Sequence, residues 1–164
     1  MKLKEVNALS PASFKKAFGE IAEHSPWVAA GALAARPFAS REAMVDAFVQ
    51  TVMKADRASQ LSLLRAHPDL ATRAKLTQDS TLEQQGAGLD TLGAAEFAHF
   101  TALNTAYKTR NGFPFIIAVK GATKHQILAG FELRILNGTE AEFQTALAQV
   151  CRIIRFRLED KVDV

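Results

Sequence analysis

Apolar residues recur at helical spacing along most of the chain, and the polar residues between them mark where each helix begins. Ser10-Pro11 places a capping residue before a proline at the first helical position, and Phe14, Ala17, Phe18 and Ile21 then follow on one face. Ser25-Pro26 repeats the signal ahead of Trp27-Val28-Ala29-Ala30. Ser40 predicts a third helix with Met44, Val45, Phe48 and Val52 on its inner face, and a fourth spans Ala58 to Ala66 with Leu61, Leu63 and Leu64 apolar.

The middle of the chain is more broken. His67-Pro68 interrupts the pattern, because proline disfavours helix in the residue before it and suits a new first turn. A short helix is expected from there to about Lys75. Ser80-Thr81-Leu82-Glu83 has the form of a capping box, with Gly86 and Gly88 keeping its helix short. A longer helix from Ala94 to Arg110 carries Phe97, Phe100, Leu103 and Tyr107, and Gly112 is placed to end it. Thr123-x-x-Gln126 opens a helix through Ile127, Leu128, Phe131 and Ile135, ended by Asn137-Gly138. Thr139-x-x-Glu142 opens the last helix, which carries Phe143, Leu147, Val150, Ile153 and Ile154 to about Leu158.

One segment breaks the scheme. Phe113 to Val119 is aromatic and β-branched, which locally favours a strand, yet no partner strand is evident. A lone strand leaves its backbone groups unsatisfied, so we expect a buried extended segment between two helices, with donors and acceptors available to a ligand. The expected fold is all-α: a single-domain compact helical bundle of about eight or nine helices, with one extended segment near 113–119.

Composition narrows the class without choosing a function. The 164 residues are 48% hydrophobic and 23% charged, as in a globular protein with a real core. The net charge of +3 is spread among acidic residues with no run of five like charges, so no basic stripe for nucleic acid stands out. One cysteine, Cys151, excludes an internal disulfide. No stretch approaches a membrane span, and neither a signal peptide nor a peroxisomal terminal tripeptide is evident, so a cytoplasmic protein is expected.

Candidate chemistry clusters in three places. His67-Pro68-Asp69 reads by itself as a helix start, but it also holds a histidine rigidly where it could exchange a proton near neutral pH. Ser80-x-x-Glu83-Gln84 reads by itself as a cap, yet Gly86-Ala87-Gly88 is an odd way to continue a solvated helix unless packing or a ligand needs close backbone approach. Arg152, Arg155 and Arg157 form a typical solvated face, although Arg157, three residues after Ile154, is placed to turn inward and hold an oxygen in forked geometry. The four histidines lack paired metal-ligand spacing, and no P-loop, dinucleotide fingerprint or nucleophile elbow is present. An enzyme built from these residues would work by acid/base chemistry and positioning, without a cofactor.

Read in order, Ser25-Pro26-Trp27, Arg36-Pro37-Phe38, His67-Pro68-Asp69-Leu70, Ser80-x-x-Glu83-Gln84, Ala87-Gly88-Leu89, Asn104-x-x-Tyr107, Gly112-Phe113-Pro114-Phe115-Ile116 and Ile153-x-x-x-Arg157-Leu158 resemble the 2-oxo-4-hydroxy-4-carboxy-5-ureidoimidazoline (OHCU) decarboxylase family. The resemblance implies an all-helical, cofactor-free, dimeric enzyme that converts OHCU to (S)-allantoin and carbon dioxide in urate breakdown. It puts His67, Glu83 and Arg157 in the catalytic set. It adds Pro68, Ser80 and Gln84, with the backbone around Phe113, Phe115 and Ile116, as substrate contacts. Arg157 is chosen over Arg155 because it directly precedes Leu158. Asn111 departs from the pattern, standing where the family more often has an aromatic residue. Two other classes fit the residues: a protein-binding module whose apolar grooves take a partner helix, which needs no polar cluster at His67, Glu83 and Arg157, and a nucleic-acid-binding bundle. Within the family, a member with a lost or changed substrate is a further alternative, and the presence of His67, Glu83 and Gln84 argues against simple loss.

Overall fold

A computed structural model describes residues 1–72 and 76–164. Nine α-helices run through the described residues, with no strand beyond an isolated bridge between Lys2 and Asp163. The all-α expectation is therefore met. By their internal contacts the residues form two compact units, Met1–Ala66 with Val150–Val164, and His67–Gln149.

The first unit holds α1 (Leu3–Ala8), α2 (Pro11–Phe18), α3 (Pro26–Leu33), α4 (Arg41–Lys54), α5 (Arg57–Arg65) and the later turns of α9 (Thr139–Lys161). The serine starts behave as expected at α2 and α4, where the Ser10 and Ser40 hydroxyls accept the Ser13 and Ala43 amides. At α3 the helix begins at Pro26, but Ser25 does not cap it, and its hydroxyl donates instead to the Glu23 carbonyl at 2.8 Å. The short α1, which the pattern did not predict, buries Val6. Helix α5 starts one residue earlier than expected because Asp56 accepts the Ser59 amide at 2.7 Å.

Helices α2, α3 and α4 pack in succession. Phe14 lies at the centre of an aromatic group, its ring 4.9 Å from Phe18, 6.2 Å from Phe38 and 6.3 Å from Phe48. Close approach of α3 to α4 requires Gly31, since a Cβ there would overlap the Thr51 side chain. Val150, Ile154 and Leu158 of α9 are fully buried in the first unit.

The second unit holds α6 (Gln78–Gly86), α7 (Ala94–Asn111), α8 (Lys124–Arg134) and the first turns of α9. Helix α7 ends where expected, with Gly112 left-handed at φ 77° and its amide donating to the Lys108 carbonyl. The Thr123–Gln126 capping box is formed in both directions.

Two expectations are corrected. Residues 68–72 make a turn rather than the start of a helix, because Ala71 takes the left-handed region at φ 56°, and 73–75 lie outside the described residues. Helix α6 begins a turn earlier than Ser80, with Thr77 as its cap, so Ser80 and Glu83 are interior to the helix and form no box. Helix α9 opens at Thr139 as expected, with Glu142 fully buried in its first turn.

The 113–119 segment is extended, mostly buried and outside any sheet, as expected. Side chains satisfy part of its backbone. The Ile116 carbonyl accepts from Arg134 Nη1 at 2.6 Å, and the Ala118 amide donates to Gln149 Oε1 at 3.0 Å.

Candidate functional site

In the second unit, His67 directly precedes the turn of residues 68–72 and is 8% exposed. That turn is clamped from two helices. Gln84 of α6 uses both ends of its amide: Oε1 accepts the Ala71 N–H at 3.0 Å and Nε2 donates to the Asp69 carbonyl at 3.2 Å. From α7, Asn104 Nδ2 donates to the Leu70 carbonyl at 2.9 Å, and Lys108 Nζ sits 2.8 Å from Asp69 Oδ2. A non-glycine residue in the left-handed region costs about 1–3 kcal/mol and persists only when its surroundings fix it. The clamp supplies that fixing for Ala71, and with it a rigid turn next to His67 and Pro68.

Helical spacing places Ser80, Glu83 and Gln84 on neighbouring positions of α6, three and four residues apart. Ser80 and Gln84 are buried, and Glu83 is partly exposed. Starting α6 at Gln78 with Thr77 as cap places Glu83 in the helix interior, away from the capping position its spacing suggested. Gln84 also lines a cavity of about 380 Å³ together with Thr72, Leu76, Thr81, Gln85 and Leu89. That volume lies in the range of small-molecule sites.

The side chains of Phe113 and Phe115 are committed to packing. Both meet the Tyr107 ring edge-on, at 6.0 and 5.4 Å, and Phe115 stacks on Phe131 at 3.9 Å. The Arg134 guanidinium lies 4.3 Å from the Phe115 ring centre. Any ligand contact from this stretch therefore comes from backbone. Asn111 is buried at the end of α7, donating to the Tyr107 carbonyl at 3.2 Å while its Oδ1 is unpartnered.

Arg157 belongs to the first unit and is 4% exposed. Its Nη1 donates to Glu23 Oε2 at 2.9 Å and to the Ile21 carbonyl at 3.1 Å. Arg155, two residues earlier, faces out and forks onto Glu42 at 2.7 and 2.6 Å. The inward orientation expected of Arg157 is thus present. Burial raises the Cys151 thiol to about 11, so it carries almost no thiolate at neutral pH.

Sequence reasoning missed Glu23, Glu142 and Asn104. The local signal of Glu142 is that of a helix start three residues after Thr139, and Glu23 lies in a loop with no motif of its own. Asn104 was visible in Asn104-x-x-Tyr107, but its bond to the Leu70 carbonyl spans 34 residues.

Comparison with known proteins places these features. Residues 7–159 match the family model described as OHCU decarboxylase. The chain is 45% identical to the 2-oxo-4-hydroxy-4-carboxy-5-ureidoimidazoline decarboxylase of Haloferax volcanii, over 97% of this chain and 95% of that one. It is 42% identical to the uric acid degradation bifunctional protein PucL of Bacillus subtilis, covering 95% of this chain and 32% of PucL. A crystal structure of (S)-allantoin synthase superposes with a TM-score of 0.79 at 34% identity, over 99% of this chain and 55% of that one. A crystal structure of OHCU decarboxylase in the presence of (S)-allantoin, 20% identical, shares the fold with a TM-score of 0.74 over 87% of this chain and 95% of that one. With its ordered motifs, its helical fold and nearly its whole length matched, the chain belongs to the OHCU decarboxylase family.

Proposed function

We propose that the protein decarboxylates OHCU to (S)-allantoin and carbon dioxide in urate degradation, acting as a carboxy-lyase without a cofactor. The observation that carries this reading is the 45% identity to a decarboxylase over 97% of this chain and 95% of that one. We take residues 1–164 as one functional domain, working as a cytoplasmic homodimer, with OHCU and neither nucleic acid nor membrane as its partner.

Loss of carbon dioxide leaves an electron pair on the former carboxyl-bearing carbon. In this substrate the adjacent C5=N imine takes up the pair to give an enol across C4 and C5, and the hydroxyl proton is lost as C5 is protonated, so the protein's task is to orient the carboxylate, exclude water and deliver the proton to one face of C5. Removing water from the carboxylate favours the charge-dispersed transition state. In our assignment, His67 is the acid/base group at the carboxylate and hydroxyl side of the ring. The clamped turn after it supports that role, because proton transfer needs a fixed donor. Glu83 anchors a ring nitrogen or hydroxyl of the substrate. Pro68 and Ser80 line the substrate. The second N–H and second lone pair of the Gln84 amide, beyond those that clamp the turn, and the backbone of Phe113, Phe115 and Ile116 read the ureido group and ring amides. Arg157 holds an anionic or carbonyl oxygen in forked geometry.

The experiment generates OHCU freshly from urate and follows circular dichroism. Addition of the protein should accelerate formation of (S)-allantoin over spontaneous decay. Product that forms no faster and stays racemic would sink the function. In the same assay, folded His67→Asn should lose roughly two orders of magnitude in turnover, the scale of a lost general acid/base. Near-normal turnover would remove His67 from its role.

A further inference from the structure

The loop between α2 and α3 contains a buried acid with no part in the assignment above. Glu23 is 1% exposed. His24, the next residue, takes the left-handed region at φ 44°, which is uncommon outside glycine although histidine enters it more often than most residues. Its side chain faces solvent, whereas Glu23 and Ser25 on either side are buried. The Ser25 hydroxyl then donates to the Glu23 carbonyl at 2.8 Å. The chain is held in an unusual turn, and the result of that turn is an inward carboxylate.

The carboxylate meets Arg157, whose Nη1 lies 2.9 Å from Glu23 Oε2 and 3.1 Å from the Ile21 carbonyl. Two acceptors from one short loop therefore fix one nitrogen of the guanidinium. Stability alone is a poor reason for this arrangement. Apolar side chains of similar volume commonly replace a buried ion pair with no loss, and the neighbours Phe18, Ile21 and Ala22 are themselves buried and apolar. Residues held in the left-handed region cluster at functional sites, and His24 is one, directly beside Glu23.

We infer that Glu23 is a positioning residue, whose carboxylate sets the orientation of the Arg157 guanidinium before substrate arrives. The inference rests on the proposed role of Arg157. Arginine has many rotamers, and fixing its planar fork in advance removes an ordering cost from substrate binding and aligns its donors with the substrate oxygen. Glutamine at position 23 keeps the shape and one acceptor oxygen but loses the charge that holds the guanidinium.

A double-mutant cycle on the full chain tests this, using freshly generated OHCU with wild type, Glu23→Gln, Arg157→Ala and the double variant. Far-UV circular dichroism and urea midpoints accompany each protein. Glu23→Gln should lower kcat/KM roughly tenfold to a hundredfold, the scale of a misplaced positioning group. In the Arg157→Ala background the same change should have an effect within about twofold, because Glu23 acts only through Arg157. A merely structural role would lower activity by the same factor in both backgrounds, and that outcome overturns the inference. So does wild-type activity in folded Glu23→Gln. If Glu23→Gln fails to fold, Glu23→Asp, which keeps the charge but withdraws it by one methylene, enters the same cycle under the same criteria. Full activity in Arg157→Ala overturns the inference together with the role of Arg157. Absence of any acceleration by wild type overturns the decarboxylase function itself, and is seen before any variant is compared.

Discussion

Glu142 illustrates how far a residue's role can lie from its local signal. Its spacing from Thr139 suits a solvent-facing cap, yet it is fully buried. Its carboxylate accepts from the Tyr107 hydroxyl at 2.6 Å, Arg134 Nε at 2.9 Å and Asn137 Nδ2 at 3.1 Å. Arg134 then reaches the Ile116 carbonyl, so the network also fixes the extended segment. Burial, followed by the hydrogen bond and negative charge of Glu142, pushes the Tyr107 hydroxyl well above its ordinary pKa, so it stays a neutral donor into strongly alkaline solution. Removing one donor from a buried carboxylate is expensive. Tyr107→Phe should destabilise the fold by about 1–3 kcal/mol, read from the urea midpoint. An unchanged midpoint would mean the hydroxyl bond contributes nothing. The sequence correctly placed Tyr107 on the inner face of α7; its partner, 35 residues away, left no local trace.

At the scale of elements, starts were legible wherever the signal was contained in three or four residues. Ser10, Ser40 and the Thr123–Gln126 box all act as their spacing predicts. Helix α6 was misplaced because two caps compete within one turn, and both satisfy local rules. Starting at Gln78 puts Ser80, Gln84 and Ala87 on a buried side, and lets Gln84 clamp the turn at Asp69–Ala71. Tertiary contact decides between the two registers. The Thr77 hydroxyl accepts the Ser80 amide at 3.3 Å, so Thr77→Ala should cost about 1 kcal/mol. It should also speed hydrogen exchange at the Ser80 amide, measurable by NMR. If that amide exchanges at the wild-type rate in Thr77→Ala, Thr77 is not the cap. The turn at 68–72 was read as helix for a related reason: the left-handed Ala71 is imposed by Gln84 and Asn104, neither of which its own neighbours reveal.

For the whole molecule, family membership was legible because eight weak segments occur in one order, while the division into two units was not. No linker composition marks the boundaries, and one of them, between Gln149 and Val150, falls inside α9. That helix presents two arginines two residues apart in different surroundings. Arg155 is 36% exposed and forks onto Glu42, whereas Arg157 is 4% exposed against Glu23. The hydrogen bond from Arg155 holds the Glu42 carboxyl below its ordinary range. A lowered folded pKa means that the pair's stabilisation is present at neutral pH and is lost as pH falls through that lowered value. The stability gap between wild type and Arg155→Ala should therefore be small at neutral pH, as for exposed pairs generally, and close on acidification. Turnover of Arg155→Ala should stay within about twofold of wild type, since truncating an exposed side chain leaves the buried guanidinium in place. Arg157→Ala should instead lose both stability and catalysis. It removes one partner of a buried ion pair, which costs about 3–5 kcal/mol, so its kinetics are measured at a temperature where it remains folded. A larger catalytic loss in Arg155→Ala than in Arg157→Ala would reverse the assignment and move the substrate-holding guanidinium to the outer face of α9.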